Sequence, residues 1–147
     1  MASEADHLAL ANANHEMLMH LLPDASQFSA WIVTVAFYKA VHVVEAAFAH
    51  HMRRHSTSHD NREKTLKTPA YANIWRNYSH LYTASRIARY LEDRREGKFT
   101  TFADYMDVEA VKKPLRKRLY GVEQNAVAFL SDVGKATLRK VNTTDIR

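Results

Sequence analysis

The 147-residue chain contains no cysteine and only three glycines and three prolines. Without thiols it cannot form a disulfide scaffold, a thiolate zinc site, an iron–sulfur cluster or a cysteine nucleophile. With so few glycines and prolines, a many-stranded sandwich with frequent tight turns and a glycine-rich phosphate loop are both disfavoured. The composition therefore favours a helical protein.

Long apolar stretches and a leader pattern are also lacking in the sequence. No apolar run approaches the ~20 residues of a membrane span, and residues 1–6 (MASEAD) lack the basic start of a signal peptide. We therefore predict a cytoplasmic protein that does not associate with membranes. The length suits one domain.

Charge is distributed unevenly along the chain. Residues 1–50 carry one base and five acids, a net charge of −4, whereas residues 51–147 carry twenty bases and eleven acids, a net charge of +9. A positive C-terminal part attracts phosphate-rich partners with an affinity that depends on salt. RNA or a nucleotide is therefore a candidate ligand, although solvated helices often carry lysine and arginine without such a role.

Apolar spacing and helix breakers predict an all-α fold, an up-and-down bundle of four main helices plus one short helix. The first helix is expected over residues 6–22 with Asp6 as its N-cap, and the second over 26–53. A short helix is expected over 58–67, and the third long helix over 70–95.

The C-terminal third is predicted to contain the last long helix. A loop with an aromatic plug of Phe99, Phe102 and Tyr105 precedes it, Pro114 is expected in its first turn, and Gly134 is expected at its end. The bundle domain is predicted over residues 1–136. Residues 137–147 are expected to form a frayed C-terminal tail.

The second helix is apolar on nearly all sides, which is typical of a central, buried helix. Tyr38, His42 and Glu45 interrupt it at helical spacing and form one polar stripe. Buried polar groups need partners, and the third long helix carries a matching line with Arg86 on its flank: Tyr78, Tyr82, Ser85 and Arg89. We expect Glu45 to pair with Arg86 or Arg89, and His42 to bond Tyr78 or Ser85. The stripe is either a core network that fixes helix register or the lining of a binding pocket.

The nine histidines raise the question of a metal site. His51, His55 and His59 recur every four residues, but the serine- and threonine-rich stretch 56–58 is expected to break the helix between them. We predict no metal ligands and no cofactor.

An arginine close to a histidine can cleave RNA without a metal. The imidazole moves a proton at the 2′-hydroxyl or the leaving oxygen, and the guanidinium stabilises the phosphate charge. Four residues separate Arg54 from His59, and Arg62 follows one helical turn later. These three residues are the candidate catalytic set.

Several segments, in order, resemble small HEPN-like bacterial proteins: FYKAVHVVEA at 37–46, His55, SHDNR at 58–62, YSHLY at 78–82 and SRIARY at 85–90. The resemblance covers about residues 26–95. It implies an up-and-down helical bundle. The family includes metal-independent ribonucleases of toxin–antitoxin and phage-defence systems, which act as homodimers with their paired sites at the interface.

The family motif is an arginine, four to six residues, and then a histidine. Arg54 and His59 fit that spacing. The family often has asparagine or another polar residue after the arginine, and here His55 rather than asparagine follows it. Other members lack the motif and serve as binding modules or as nucleotidyltransferase partners. The resemblance thus implies a module that binds RNA, a nucleotide or a partner protein such as a cognate antitoxin, or alternatively an endoribonuclease using Arg54, His59 and Arg62.

Overall fold

The computed structural model describes residues 1–90, 92–93, 98–99, 108–144 and 146. Its helices are α1 (Glu4–Leu21), α2 (Ala25–His51), α3 (His59–Leu66), α4 (Ala72–Tyr90), α5 (Val108–Pro114), α6 (Tyr120–Ala126) and α7 (Asp132–Thr137). Two-residue strands β1 (Glu92–Asp93) and β2 (Lys98–Phe99) pair antiparallel. The predicted all-α class is confirmed.

Helix α1 begins earlier than the sequence analysis predicted. Ser3, not Asp6, is the N-cap: its Oγ accepts a hydrogen bond from the Asp6 N–H, and the Asp6 carboxylate accepts one from the Ser3 N–H at 2.8 Å. This reciprocal capping box satisfies two backbone donors that a helix N-terminus otherwise leaves unpaired. The helix ends at Leu21, and a 3₁₀ turn that contains Pro23 follows. This agrees with the prediction that Pro23 stops the first helix.

Helix α2 is the central element and packs against α1, α4, α5 and α6. Its apolar side chains are buried, including Ile32, Phe37, Val44 and Phe48, which confirms the prediction for this helix. It ends at His51, and Arg53 adopts a positive φ of 52° while the Arg54 N–H reaches back to the Phe48 carbonyl. That left-handed residue turns the chain out of the helix.

The connection after α2 leads into the short helix that the sequence predicted. Ser58 caps α3, since its Oγ accepts from the Asn61 N–H at 3.0 Å. A 3₁₀ turn, Pro69–Tyr71, then leads into α4. The helix break between His51 and His59 is therefore confirmed, and His51 bonds the Tyr71 hydroxyl at 2.6 Å instead of sharing a face with His55.

The last long helix differs from its prediction in the position of Pro114 and at its C-terminal end. It begins at Val108, and Pro114 is the last residue of α5, not part of a first turn. A π-helical segment, Leu115–Leu119, follows directly, in which the Tyr120 N–H donates to the Leu115 carbonyl. Because proline has no N–H and clashes with the preceding turn, it distorts a helix at this point. The helical stretch that starts at Val108 ends at Ala126. Gly134, expected at its end, lies instead within α7.

Residues after α7 are packed, so the expectation of a frayed tail is wrong. Leu138, Val141 and Ile146 are buried in the core. The Ile146 carbonyl accepts a hydrogen bond from Arg116 at 2.5 Å, and Asn12 on α1 bonds the backbone of Thr137 and Arg139. The predicted aromatic plug of Phe99, Phe102 and Tyr105 lies outside the side chains that the structure describes.

One 18-residue window within Glu4–His51 is long and apolar enough to cross a membrane by length and composition, with a mean hydropathy of 1.5. In the fold, 72% of that window is buried. Central helices of packed bundles pass the same test, so the window is weak support for a span.

Candidate functional site

Arg89 connects α4 to the polar stripe of α2. Its Nη1 donates to the Tyr38 hydroxyl at 3.2 Å, while its Nη2 and Nε donate to Oγ and the carbonyl oxygen of Ser85 at 3.3 and 3.2 Å. The guanidinium carbon lies 5.6 Å from the ring centroids of Phe37 and Tyr38. Tyr38 therefore faces Arg89 and Ser85, as the sequence analysis expected.

Arg86, one turn earlier on α4, lies among aromatic rings. Its guanidinium carbon is 5.8 Å from the Tyr82 ring centroid and 5.5 Å from that of Tyr90. Arg89 approaches the same Tyr90 ring at 5.0 Å. Since Tyr90 is 55% exposed, these cation–π contacts extend to the protein surface.

His59, at the start of α3, completes this group, and its ring packs near Phe37 and Tyr82. Its Nδ1 lies 2.9 Å from Arg62 Nη1. A guanidinium only donates hydrogen bonds, so Nδ1 must accept, and His59 is a neutral imidazole with its proton on Nε2. Burial lowers the pKa of His59, and the positive charges of Arg62, Arg89 and Arg86 lower it further.

We call His59, Arg62, Arg86, Arg89, Tyr38 and Tyr82 the arginine–aromatic cluster. Of the candidate catalytic residues, the structure brings His59 and Arg62 together. Arg54 is exposed and is not among the residues described in contact with His59, which are Arg62, Phe37 and Tyr82. The Arg54–His59 spacing in sequence therefore does not correspond to a contact.

Glu45 has a different partner from the one predicted. Its Oε1 accepts from Arg62 Nε at 2.7 Å, not from Arg86 or Arg89, and its Oε2 accepts from the Ser56 N–H at 3.0 Å. Burial alone would raise the pKa of Glu45, but the hydrogen bonds of Ser56 and Arg62 lower it below its ordinary value. The carboxylate is thus held in its charged form.

His42 is also oriented differently from its prediction. Its Nδ1 lies 3.2 Å from Nδ1 of His7 on α1, not against Tyr78 or Ser85. Burial lowers the pKa of both imidazoles, so each favours its neutral form. Burial raises the pKa of Tyr78 to about 12, against the opposing effect of the Arg62 charge.

His7 joins His42, Glu45 and His55 in what we call the histidine–glutamate cluster. The His7 and His55 rings meet edge to face at 5.2 Å, and His55 Nδ1 lies 3.2 Å from Glu45 Oε2. His7 was not among the predicted site residues, because it lies on α1, far along the chain from its partners. The sequence feature that could have indicated His7 is its place on the apolar face of α1, beside the buried Leu8 and Ala11.

A second polar group that was not predicted is the pair of Lys39, on α2, and Glu123. Lys39 Nζ contacts Glu123 Oε1 at 2.5 Å, and both side chains are 0% exposed. Burial lowers the pKa of Lys39 and raises that of Glu123, while their mutual attraction opposes both shifts. This pair lies in the core and does not reach the arginine–aromatic cluster by any contact among the described residues.

An open cavity of about 360 Å³ lies between α4 and the helical rod of residues 108–126. Its lining includes His80, Lys113, Lys117 and Arg118, next to Pro114. The cavity adds a second basic surface, on a different face of α4 from Arg89.

No known protein family, curated protein or solved structure matches this chain, and its function is therefore inferred from the geometry of these sites.

Proposed function

We propose that the protein is an HEPN-like helical-bundle module that binds the phosphate groups of RNA or a nucleotide through the arginine–aromatic cluster. One observation carries this proposal: the exposed His59 contacts Arg62 at 2.9 Å and packs near the Tyr82 and Phe37 rings, which Arg86 and Arg89 approach in turn. Planar guanidinium groups bind phosphate oxygens through paired hydrogen bonds. The neutral His59 adds an Nε2–H donor to them.

Aromatic rings next to the arginines supply the other half of a nucleotide site. Tyr82 is partly exposed and Tyr90 more so, and both contact Arg86. Proteins that bind single-stranded RNA stack bases on such rings, with a gain of about 1–3 kcal/mol per base. The cluster therefore favours a single-stranded RNA or a nucleotide over a partner protein.

The biological setting is also part of the proposal, and it rests on the resemblance of residues 26–95 to HEPN-like proteins. On that resemblance we propose a cytoplasmic homodimer in a toxin–antitoxin or phage-defence system, with an antitoxin or a nucleotidyltransferase as its partner. The excess of basic residues after position 50 supports only the RNA or nucleotide ligand.

The alternative function is a metal-independent endoribonuclease in which His59 transfers protons and Arg62 binds the scissile phosphate. The exposed position of His59 beside Arg62 favours it. Against the ribonuclease, Nδ1 of His59 already accepts a hydrogen bond from Arg62. The imidazole can act as a base at that nitrogen only after this contact opens. Binding is therefore the better-supported function.

Replacing Arg86 and Arg89 together by alanine is expected to weaken binding of a single-stranded RNA oligonucleotide about a hundredfold or more, since each charged hydrogen bond contributes about 1.5–3 kcal/mol and about 1.4 kcal/mol is a tenfold change. The dependence of log affinity on log salt should also become shallower by about 1.4, at about 0.7 per lost phosphate contact. Fluorescence anisotropy over a salt series measures both quantities.

The double variant Arg76→Ala, Lys135→Ala is the matched control, because it removes two exposed cations from elsewhere on the surface. Equal losses in the two variants would show that binding depends on net charge alone and would overturn the proposed site. The RNA is recovered from each binding reaction, run in EDTA, and its ends are analysed. Fragments with 2′,3′-cyclic phosphate ends that disappear with His59→Ala would favour the ribonuclease.

RNA affinity is expected to rise as the pH falls from 7 through the lowered pKa of His59. The surrounding arginines and burial lower that pKa in the free protein, whereas a bound phosphate stabilises the imidazolium and raises it. Linkage then makes proton uptake favour binding at acid pH. The RNA affinity of His59→Gln should not change over the same pH range. If the wild-type affinity were equally independent of pH, His59 would not be part of the binding site.

A further inference from the structure

The histidine–glutamate cluster places three groups of metal-binding type at one point. One ring nitrogen of His7, one of His55 and one carboxylate oxygen of Glu45 all lie within 4.8 Å of one another. The His55 nitrogen and the Glu45 oxygen are 3.2 Å apart. In a tetrahedral zinc site with bonds of about 2.0–2.1 Å, neighbouring ligand atoms are about 3.3 Å apart. One edge of such a site is thus already formed.

A second observation singles out His7. Its side chain is buried, with the residue only 5% exposed, and its Nε2 makes no hydrogen bond to any residue that the structure describes. A buried polar atom without a partner costs about 1–3 kcal/mol. The other ring nitrogen, Nδ1, is held by the contact with His42. An imidazole with one nitrogen engaged and the other buried and unsatisfied has the state that a metal ligand needs.

Groups around the three ligands would hold them in position. Arg62 fixes one oxygen of Glu45, and the Ser56 N–H bonds the other, which also faces His55. His42 orients the His7 ring through their contact at 3.2 Å. Outer hydrogen bonds of this kind set ring and carboxylate orientation in metal sites.

We propose that His7, Glu45 and His55 bind one divalent transition-metal ion of the zinc type. Two imidazoles and one carboxylate suit zinc, whereas magnesium and calcium prefer oxygen ligands. The His55 side chain is 38% exposed, so the site opens to solvent there, and water can fill the remaining position. Bound metal joins α1 to α2 and to the connection before α3, independently of RNA binding.

The test uses the full chain, stripped with EDTA, dialysed and titrated with ZnCl₂ by isothermal calorimetry. We expect one Zn²⁺ per chain and a melting temperature that rises with the Zn²⁺ concentration, because the ion binds the folded chain preferentially. Co²⁺ is expected to give the visible absorption of a four-coordinate site. Affinity should fall about tenfold or more in His7→Ala and in His55→Ala.

Exposed histidines outside the cluster provide the matched controls, His20→Ala and His50→Ala, which should bind Zn²⁺ like the wild type. His55→Ala keeps the test decisive if the buried His7 variant does not fold, and circular dichroism checks the fold of each variant. Absence of stoichiometric binding, or equal losses in control and cluster variants, would overturn the metal site. RNA affinity is measured separately in EDTA, so failure of the metal site leaves the proposed RNA site standing, and the reverse.

Discussion

Replacing Lys39 by methionine is expected to lower the free energy of unfolding by about 3–5 kcal/mol, the typical effect of removing one partner of a buried ion pair. The ammonium group forms an ion pair with the Glu123 carboxylate at 2.5 Å and donates hydrogen bonds to His15 Nδ1 at 2.9 Å and to the Arg139 carbonyl at 2.8 Å. Methionine leaves the Glu123 carboxylate buried without its counter-charge. Urea denaturation followed by circular dichroism measures the change.

The double variant Lys39→Met, Glu123→Leu is expected to recover much of that stability, because a buried ion pair replaced by apolar residues is often neutral or better. The surface pair Lys64–Asp60, whose side chains are about four-fifths exposed, provides a control. Lys64→Met should change stability by less than about 1 kcal/mol. A loss this small in Lys39→Met would show that the buried pair is hydrated in solution.

Glu45→Ala is expected to be the second large effect, a loss of about 3–5 kcal/mol in the free energy of unfolding. The substitution leaves the Arg62 guanidinium, a residue only 8% exposed, without its carboxylate. It also removes the acceptor of the Ser56 N–H, which holds the connection between α2 and α3. Urea denaturation in EDTA measures the change with no metal bound.

Glu63→Ala is the control for this substitution, since Glu63 lies on α3 like Arg62 and forms a more exposed pair with Lys67, the residue after that helix. Its expected loss is below about 1 kcal/mol. If Glu45→Ala were equally mild, Arg62 would have another counter-charge or would be reached by water, and the core position of this pair would be wrong.

Helical spacing predicted which polar residues share a face, but not which helix covers them. Tyr38, His42 and Glu45 do form a stripe, and Tyr38 meets Arg89 as expected. The other two meet α1 and α3, because α2 is central and has neighbours on several sides. Periodicity holds no information on that arrangement, since it depends on contacts between residues far apart in sequence.

Other features left signals in the sequence that could have been used. Ser3 and Asp6 have the spacing of a capping box, and Leu138, Val141 and Ile146 are apolar residues in the segment expected to fray. Lys39 stood out as a base on an apolar helix, which indicates a buried partner. Its identity as Glu123 could not be read from the sequence, because 83 residues separate the two positions.

The surroundings of Lys39 bear on how the protein is made in the cell. The ribosome adds three residues of this site long after α2: Glu123, Arg139 and Val141. The Arg139 carbonyl accepts from Lys39, and the Val141 N–H donates to the Glu123 carboxylate. While the ribosome still covers these residues, the nascent α2 carries a lysine that has no counter-charge and favours water over the interior. Final closure of the core around Lys39 must therefore wait until residue 141 has left the exit tunnel, and until then chaperones can still reach the apolar faces of α1 and α2.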